Sequence, residues 1–236
     1  EIKLFQHKDI PVSLGIVIDN SGSMRDKRAA VNQASINLVK ASNPDDQVFI
    51  VNFNDEYYLD QDFTSSIAQL REGLEHIESR GGTALYDAVI ASADHLKKNG
   101  KLDKKVLLVV TDGEDNSSRD SLEQTVRRIS EEGGPTVYTI GLLGDEHSKR
   151  AQRALKALSE QTGGLAFFPK DVNEVDSISQ AIARDIRSQY IITYKKDPRA
   201  PNGYRTVKVV AHAPGYRNLQ VRTLTGYYAG QERAAR

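Results

Sequence analysis

The chain contains no cysteine. That excludes disulfides, thiolate metal centres and a cysteine nucleophile. It leaves the compartment open, because exported proteins also dispense with cysteine. There is no excess of either charge: 32 basic residues stand against 32 acidic ones, so nothing global points to nucleic acid or to an anionic membrane. No apolar run approaches the roughly 20 residues of a membrane span, and no signal peptide is recognisable. Internal repeats and low-complexity tracts are absent as well. The opening Glu1-Ile2-Lys3-Leu4-Phe5 reads as a strand in mid-course, which is the look of an excised fragment whose preceding residues could have carried a targeting signal.

What the chain does contain is organised around Ile16-Val17-Ile18-Asp19-Asn20-Ser21-Gly22-Ser23-Met24. Val12 to Ile18 is rich in Val and Ile and reads as a strand buried on both faces. Asp19 to Ser23 then turns polar, and a helical pattern follows from about Met24. One carboxylate and two hydroxyls thus share a tight loop at the carboxyl end of a central strand, the edge where open α/β sheets place their ligands. Hard oxygens of this kind suit Mg²⁺ or Mn²⁺ and not Zn²⁺. The loop is too small to complete an octahedron, so further oxygens are expected elsewhere.

Taken in order, residues 2–5 alternate polar and apolar as an edge strand, and Val12–Asp19 is the first central strand. Val31, Ala34 and Leu38 mark a helix that stops near Pro44. Gln47–Phe53 is a buried strand and Tyr57–Leu59 a short edge strand. Ile67, Leu70, Leu74 and Ile77 form a helical stripe capped by Thr64-Ser65. After the loop Arg80-Gly81-Gly82-Thr83, a helix carries Leu85, Ala88, Val89, Ser92 and Leu96 inward. Val106–Val110 is the most apolar strand and ends in Thr111-Asp112-Gly113. Leu122, Val126 and Ile129 mark a helix, Val137–Ile140 a strand, Ala151, Leu155 and Leu158 a helix, and Leu165–Phe168 a strand. Asp171 and Glu174 form a capping-box pattern before a helix striped with Val175, Ile178, Ile182 and Ile186. This alternation predicts an α/β fold: a doubly wound, mostly parallel Rossmann-like sheet with helices on both faces. Past residue 188 the pattern changes to a small C-terminal antiparallel β extension, with strands at Tyr190–Tyr194, Tyr204–Ala211 and Leu219–Thr223. Its tyrosines, Tyr190, Tyr194, Tyr204, Tyr216, Tyr227 and Tyr228, are expected to pack its core. The organisation is therefore 1–9 as a strand or linker, 10–188 as the main domain, 189–228 as the extension and 229–236 as a disordered tail.

Three polar loops stand at strand or helix ends: Asp19-x-Ser21-x-Ser23, Thr83 after Gly81-Gly82, and Asp112. In order and spacing they resemble the metal-ion-dependent adhesion site of the von Willebrand factor type A domain, over roughly residues 10–188. The extension, with Gln189-Tyr190, Pro214-Gly215 and Gly226-Tyr227-Tyr228, resembles that of a bacterial group of "VWFA-related" proteins. The resemblance implies that Ser21 and Ser23 give hydroxyl oxygens directly to Mg²⁺ or Mn²⁺ and that Thr83 does so in the ligand-bound form. Asp19 and Asp112 would act through coordinated waters. A replaceable water would then yield to an Asp or Glu of a protein partner. That implies a non-enzymatic adhesion or scaffold module, engaging neither nucleic acid nor, through this fragment, a membrane, and favours an extracytoplasmic location.

Two other function classes are weighed against this. One is an accessory subunit of a larger ATPase-type or secretion assembly. The other is a Mg²⁺-dependent hydrolase, which would want a second carboxylate where Ser21 stands and a lysine near the site. No Gly-x-Gly-x-x-Gly follows the first strand and no Gly-x-Ser-x-Gly elbow occurs. Glu114 and Asp115 read as a solvated loop. Asp87, one turn after Thr83, either bonds to the metal loop or faces solvent. The five histidines are scattered without metal-type spacing. In families this resembles, loop rearrangement is coupled to a shift of the C-terminal helix. Here the short link at Ser188 favours a helix tethered in place.

Overall fold

The computed structural model describes residues 2–7, 9–75, 79–143, 149–194, 202–217 and 219–229. Ile77, Pro198, Pro201 and the tail from residue 230 fall outside them. The chain begins with β1 (Ile2–His7), β2 (Val12–Asp19), α1 (Arg28–Lys40), β3 (Gln47–Phe53) and β4 (Tyr57–Thr64). Then come α2 (Ile67–Glu75), α3 (Leu85–Asn99), β5 (Lys104–Thr111), α4 (Leu122–Ile129) and β6 (Thr136–Gly141). It closes with α5 (Lys149–Glu160), β7 (Ala166–Phe167), α6 (Val175–Arg187), β8 (Tyr190–Tyr194), β9 (Gly203–Thr206) and β10 (Gly226–Ala229).

Six strands form one sheet in the order β4-β3-β2-β5-β6-β7, parallel except for the antiparallel edge β4. All eight residues of β2 are buried, as a strand with neighbours on both sides and helices on both faces requires. On one face, Leu14, Ile16 and Ile18 pack with Val31, Leu38, Leu70 and Ile182 of α1, α2 and α6. On the other, Val17, Leu107 and Val109 pack with Leu85, Val89, Leu96, Ile129 and Leu155 of α3, α4 and α5. The expected doubly wound sheet is thus the fold, with small antiparallel pairs beside it.

Four expectations need correction. The first helix begins at Arg28, not near Met24. Residues Gly22–Met24 make a single 3₁₀ turn that sinks Met24 fully into the core. Leu219–Thr223 is not a strand; Gly203–Thr206 pairs instead with Gly226–Ala229. The latter segment docks on the main domain, with Tyr228 N–H donating to Ser130 O at 2.9 Å and Glu132 N–H to Tyr228 O at 3.1 Å. The extension also divides, because β8 pairs with β1 and not with β9 or β10. Finally, Tyr190, Tyr194, Tyr204 and Tyr216 are exposed and do not form a core. A two-stranded ribbon has no interior, so Tyr190 stacks on Phe5 at 5.2 Å across the ribbon surface.

The C-terminal end of α6 is held from several directions. Asp185 accepts from the Tyr138 hydroxyl at 2.5 Å and pairs with Arg222, whose Nε donates to Gly163 O at 3.0 Å. Arg187 pairs with Asp9 and lies 3.5 Å from Asp46. Lys104 donates to Ile186 O.

Gly15 marks where the core admits no side chain. A Cβ there would lie 2.3 Å from Phe49 Cζ and 2.6 Å from Leu107 Cδ2. The Phe49 ring is itself wedged between Phe63 and His95, at 4.8 and 4.9 Å. Overpacking of such a site costs about 1–3 kcal/mol. Gly15→Val is expected to lower the unfolding free energy by that amount, seen as a lower urea midpoint at unchanged slope, measured by circular dichroism.

Candidate metal centre

β2 connects to β3 on one side while β5 lies on its other side, so the crevice between the carboxyl ends of β2 and β5 is the topological switch point. Ile18 pairs with Val110, which sets Asp19 beside Thr111 and brings Asp112 just past the sheet edge. Asp19 is fully buried. Its Oδ1 accepts from Ser21 N–H at 2.8 Å and its Oδ2 from the Thr111 hydroxyl at 2.5 Å. Burial pushes the Asp19 carboxyl up, and the bonds from Thr111 and Ser21 pull it back.

From Asp19 the loop climbs through Ser21 to Ser23. Their hydroxyl oxygens are 3.2 Å apart, and Ser23 Oγ donates to Asp112 Oδ1 at 2.8 Å. The other Asp112 oxygen is 2.5 Å from Lys27 Nζ. Thr83 is buried on the opposite flank, its Oγ1 3.6 Å from where a Cβ on Gly113 would sit. The structure therefore brings all five sequence-predicted residues to one crevice: Asp19, Ser21, Ser23 and Asp112 near one another, and Thr83 beside Gly113.

The Thr83 loop is stitched to its neighbours by backbone groups. Gly22 N–H donates to Gly81 O at 3.3 Å and Arg80 N–H to Asn20 O at 3.0 Å. Gly82 N–H donates to Asp55 Oδ1 at 2.9 Å and Thr83 N–H to Asn116 Oδ1 at 2.8 Å. Gly81 has φ of 76°, the left-handed region that favours glycine, and a Cβ there would fall 2.1 Å from Asp55 Oδ2 and press on the carboxylate that holds Gly82 N–H.

Asp115 is not the solvated loop residue expected from the sequence. Its carboxylate accepts from Tyr86 N–H at 2.9 Å and from the Ser118 hydroxyl at 2.6 Å, capping α3. Asp87 accepts from Arg119 and Asp120 N–H at 3.1 Å, which ties α3 to the loop after Asp112. Sequence reasoning also missed Thr111, Lys27 and Arg28. Arg28 is buried beneath the loop, and its Nη2 donates to Asn52 Oδ1 at 2.5 Å, with Asn52 Nδ2 in turn donating to Asp60 at 2.7 Å. Burial pulls the Arg28 guanidinium down to about 10, opposed by the charges of Asp60 and Asp19. Only Thr111 gave a usable signal, as the last polar residue of an apolar strand.

The donor set, two carboxylates and three hydroxyls, fits a small hard divalent cation. Among the described residues no group of three or more His, Asp or Glu gathers elsewhere for a metal.

Thr111 carries a testable load. Removing its hydroxyl leaves one oxygen of a buried carboxylate without its donor, a loss of about 2–3 kcal/mol. Thr111→Val, nearly isosteric, is expected to lower stability by that amount in chelator, while Thr111→Ser retains most of it, as read by urea denaturation.

Comparison with known proteins follows the same residues. Positions 14–114 match the von Willebrand factor type A domain. Over 179 residues the chain is 27% identical to calcium-activated chloride channel regulator 1 of Mus musculus, covering 71% of this chain and 18% of that protein. Over 125 residues it is 35% identical to integrin alpha-11 of Mus musculus, covering 51% of this chain and 10% of that one. The chain thus spans less than a fifth of these relatives. A solved von Willebrand factor type A structure from Catenulispora acidiphila superposes with a TM-score of 0.65 at 19% identity, covering 75% of this chain and 42% of that one, which speaks to fold alone. The matched stretch, residues 14–114, runs from β2 to the turn after β5 and includes Asp19, Ser21, Ser23, Thr83 and Asp112, so the part of the chain that matches the von Willebrand factor type A domain is the part that builds the crevice.

Proposed function

We propose that this chain is a metal-dependent protein-binding module of the adhesion or scaffold kind. Ser21, Ser23 and Thr83 would hold one Mg²⁺ or Mn²⁺ directly, with Asp19 and Asp112 acting through waters. The ion would supply a coordination position for an Asp or Glu of a partner protein. The observation that carries the reading is the bond from Ser23 Oγ to Asp112 Oδ1, between residues 89 positions apart, at the switch point of the sheet. Mg²⁺ keeps several waters and takes few protein carboxylates, which agrees with a site holding only two.

A hydrolase is the weaker reading. Lys27 meets one of its two requirements, but Ser21 still stands where a second carboxylate is needed, and no base is poised beside a nucleophile. The anchoring of α6 by Tyr138, Arg222, Asp46 and Lys104 supports a site that is constitutive and not gated by that helix. No helix among the described residues is long and apolar enough to cross a membrane. Action outside the cytoplasm belongs to the same proposal and rests on the family resemblance.

Titration calorimetry with MgCl₂ and MnCl₂ tests the assignment. Wild type is expected to bind one ion, and Asp19→Ala and the exposed-site variant Ser23→Ala to lose it, with the far-ultraviolet spectrum of Ser23→Ala unchanged. Equal affinity in all three proteins would remove Asp19 and Ser23 from the site.

A further inference from the structure

The bond between Lys27 and Asp112 is not explained by the metal-binding reading. The Asp112 side chain is only 1% exposed, yet both of its oxygens are engaged within the protein, one by Ser23 and one by Lys27. The Lys27 side chain is 31% exposed, and its Nζ also reaches Leu142 O at 3.5 Å. It therefore spans from solvent to the buried carboxylate, roofing the crevice between Ser23 and the end of β6.

Local rules disfavour a lysine at this position. Lys27 is the residue on which α1 begins, Arg28 follows it, and the first turn of α1 has no acidic residue. The field of a helix N-terminus repels cations. Nor does the backbone require the side chain: Lys27 N–H donates to Met24 O at 2.9 Å and Lys27 O accepts from Val31 N–H at 3.1 Å, bonds any residue except proline could make. Proteins break such local rules chiefly at functional or strained sites, and here the misplaced charge is met by Asp112.

A divalent cation held by Ser21, Ser23 and Thr83 needs the charge of Asp112 for itself. An ammonium 2.5 Å from that carboxylate, whose side chain is 1% exposed, is a competing cation at close quarters. The backbone at Lys27 is fixed, but a four-carbon stem ending in a point charge is free to swing to water.

We propose that Lys27 is a tethered counter-cation that occupies Asp112 in the ion-free state and is displaced when the divalent ion enters, so that it sets the ion concentration at which the site loads. This rests on the metal-binding reading above and adds a regulating residue to it. The site would be a threshold device: stable without its ion, because Asp112 is already neutralised, and filled only above a concentration fixed by the competition.

The test is titration calorimetry of MnCl₂ and MgCl₂ into the whole chain, as wild type, Lys27→Met, Lys27→Gln and Lys27→Arg, with thermal melts in chelator. Both neutral variants are expected to bind Mn²⁺ at least tenfold more tightly than wild type, and to melt at lower temperature in chelator, where Asp112 is left uncompensated. Lys27→Arg, which keeps the charge, should stay near wild type in both measurements. Unchanged or weaker binding in the neutral variants, beside a wild type that binds, would overturn the role of Lys27 while leaving the metal site standing. Absence of binding in every protein up to millimolar ion would overturn the metal site and this proposal together. Two neutral variants are used so that poor folding of one does not decide the outcome.

Discussion

The buried carboxylate of Asp19 is the constraint on which the site is built. A carboxylate removed from water at the end of a central strand has to find donors, and it finds them in two places: the N–H of Ser21 in its own loop and the hydroxyl of Thr111 on the adjacent strand. The first bond folds the loop back on itself, which aims Ser21 and Ser23 into the crevice. The second ties β2 to β5 at the point where Asp112 follows. Registry between these strands is therefore a property of the site as well as of the sheet. A slip by one residue would set Val110 or Asp112 against Asp19 in place of a hydroxyl donor, and would reverse every buried side chain of the strand.

The remaining acidic residues near the crevice explain why it holds only two carboxylates. Asp55, Asp87 and Asp115 each spend their oxygens on backbone N–H groups of the loops around Thr83 and Asn116. They are braces, their oxygens engaged in holding loop conformations that no regular ladder supports. Arg28 contributes from below, placing a buried positive charge behind Asp19 through Asn52. The crevice is thus poised between charges of both signs, with the hydroxyls as its neutral lining.

Much of this was legible in the sequence because parallel strands covered on both faces must be apolar along their whole length. Val12–Asp19 and Val106–Val110 announced themselves, and the polar loops after them stood out by contrast. Asp19, Ser21, Ser23, Thr83 and Asp112 were readable as a set, through order and spacing that resemble a known family. Lys27 and Arg28 were not, because a basic pair in an Arg-Asp-Lys-Arg run looks like any solvated helix start; only the tertiary fold shows one reaching Asp112 and the other buried. Asp115 was hidden for the same reason, a capping bond to Tyr86 N–H being invisible across 29 positions. Leu219–Thr223 had the alternation of a strand but meets the main domain through the Arg222 side chain, which bonds Gly163 O and Asp185, whereas Gly226–Ala229 pairs with Gly203–Thr206 and docks by its backbone on the turn after α4. Pattern reports what a segment is able to form, and the available neighbour decides what it does form.

The ribbon of β1 and β8 has a mechanical consequence. Ile2 pairs with Tyr194 and His7 with Tyr190, so the Ile2 and Tyr194 ends of the two strands lie side by side, while their other ends lead into β2 and back from α6. A tension applied across residues 2 and 194 therefore opens the ribbon from one end, breaking its hydrogen bonds in succession instead of shearing them together. The ribbon would part like a zip before the load reached the Asp9–Arg187 pair and the six-stranded sheet behind it. The candidate crevice lies at the opposite edge of that sheet, so parting β1 from β8 breaks none of the bonds that position Asp19 and its loop.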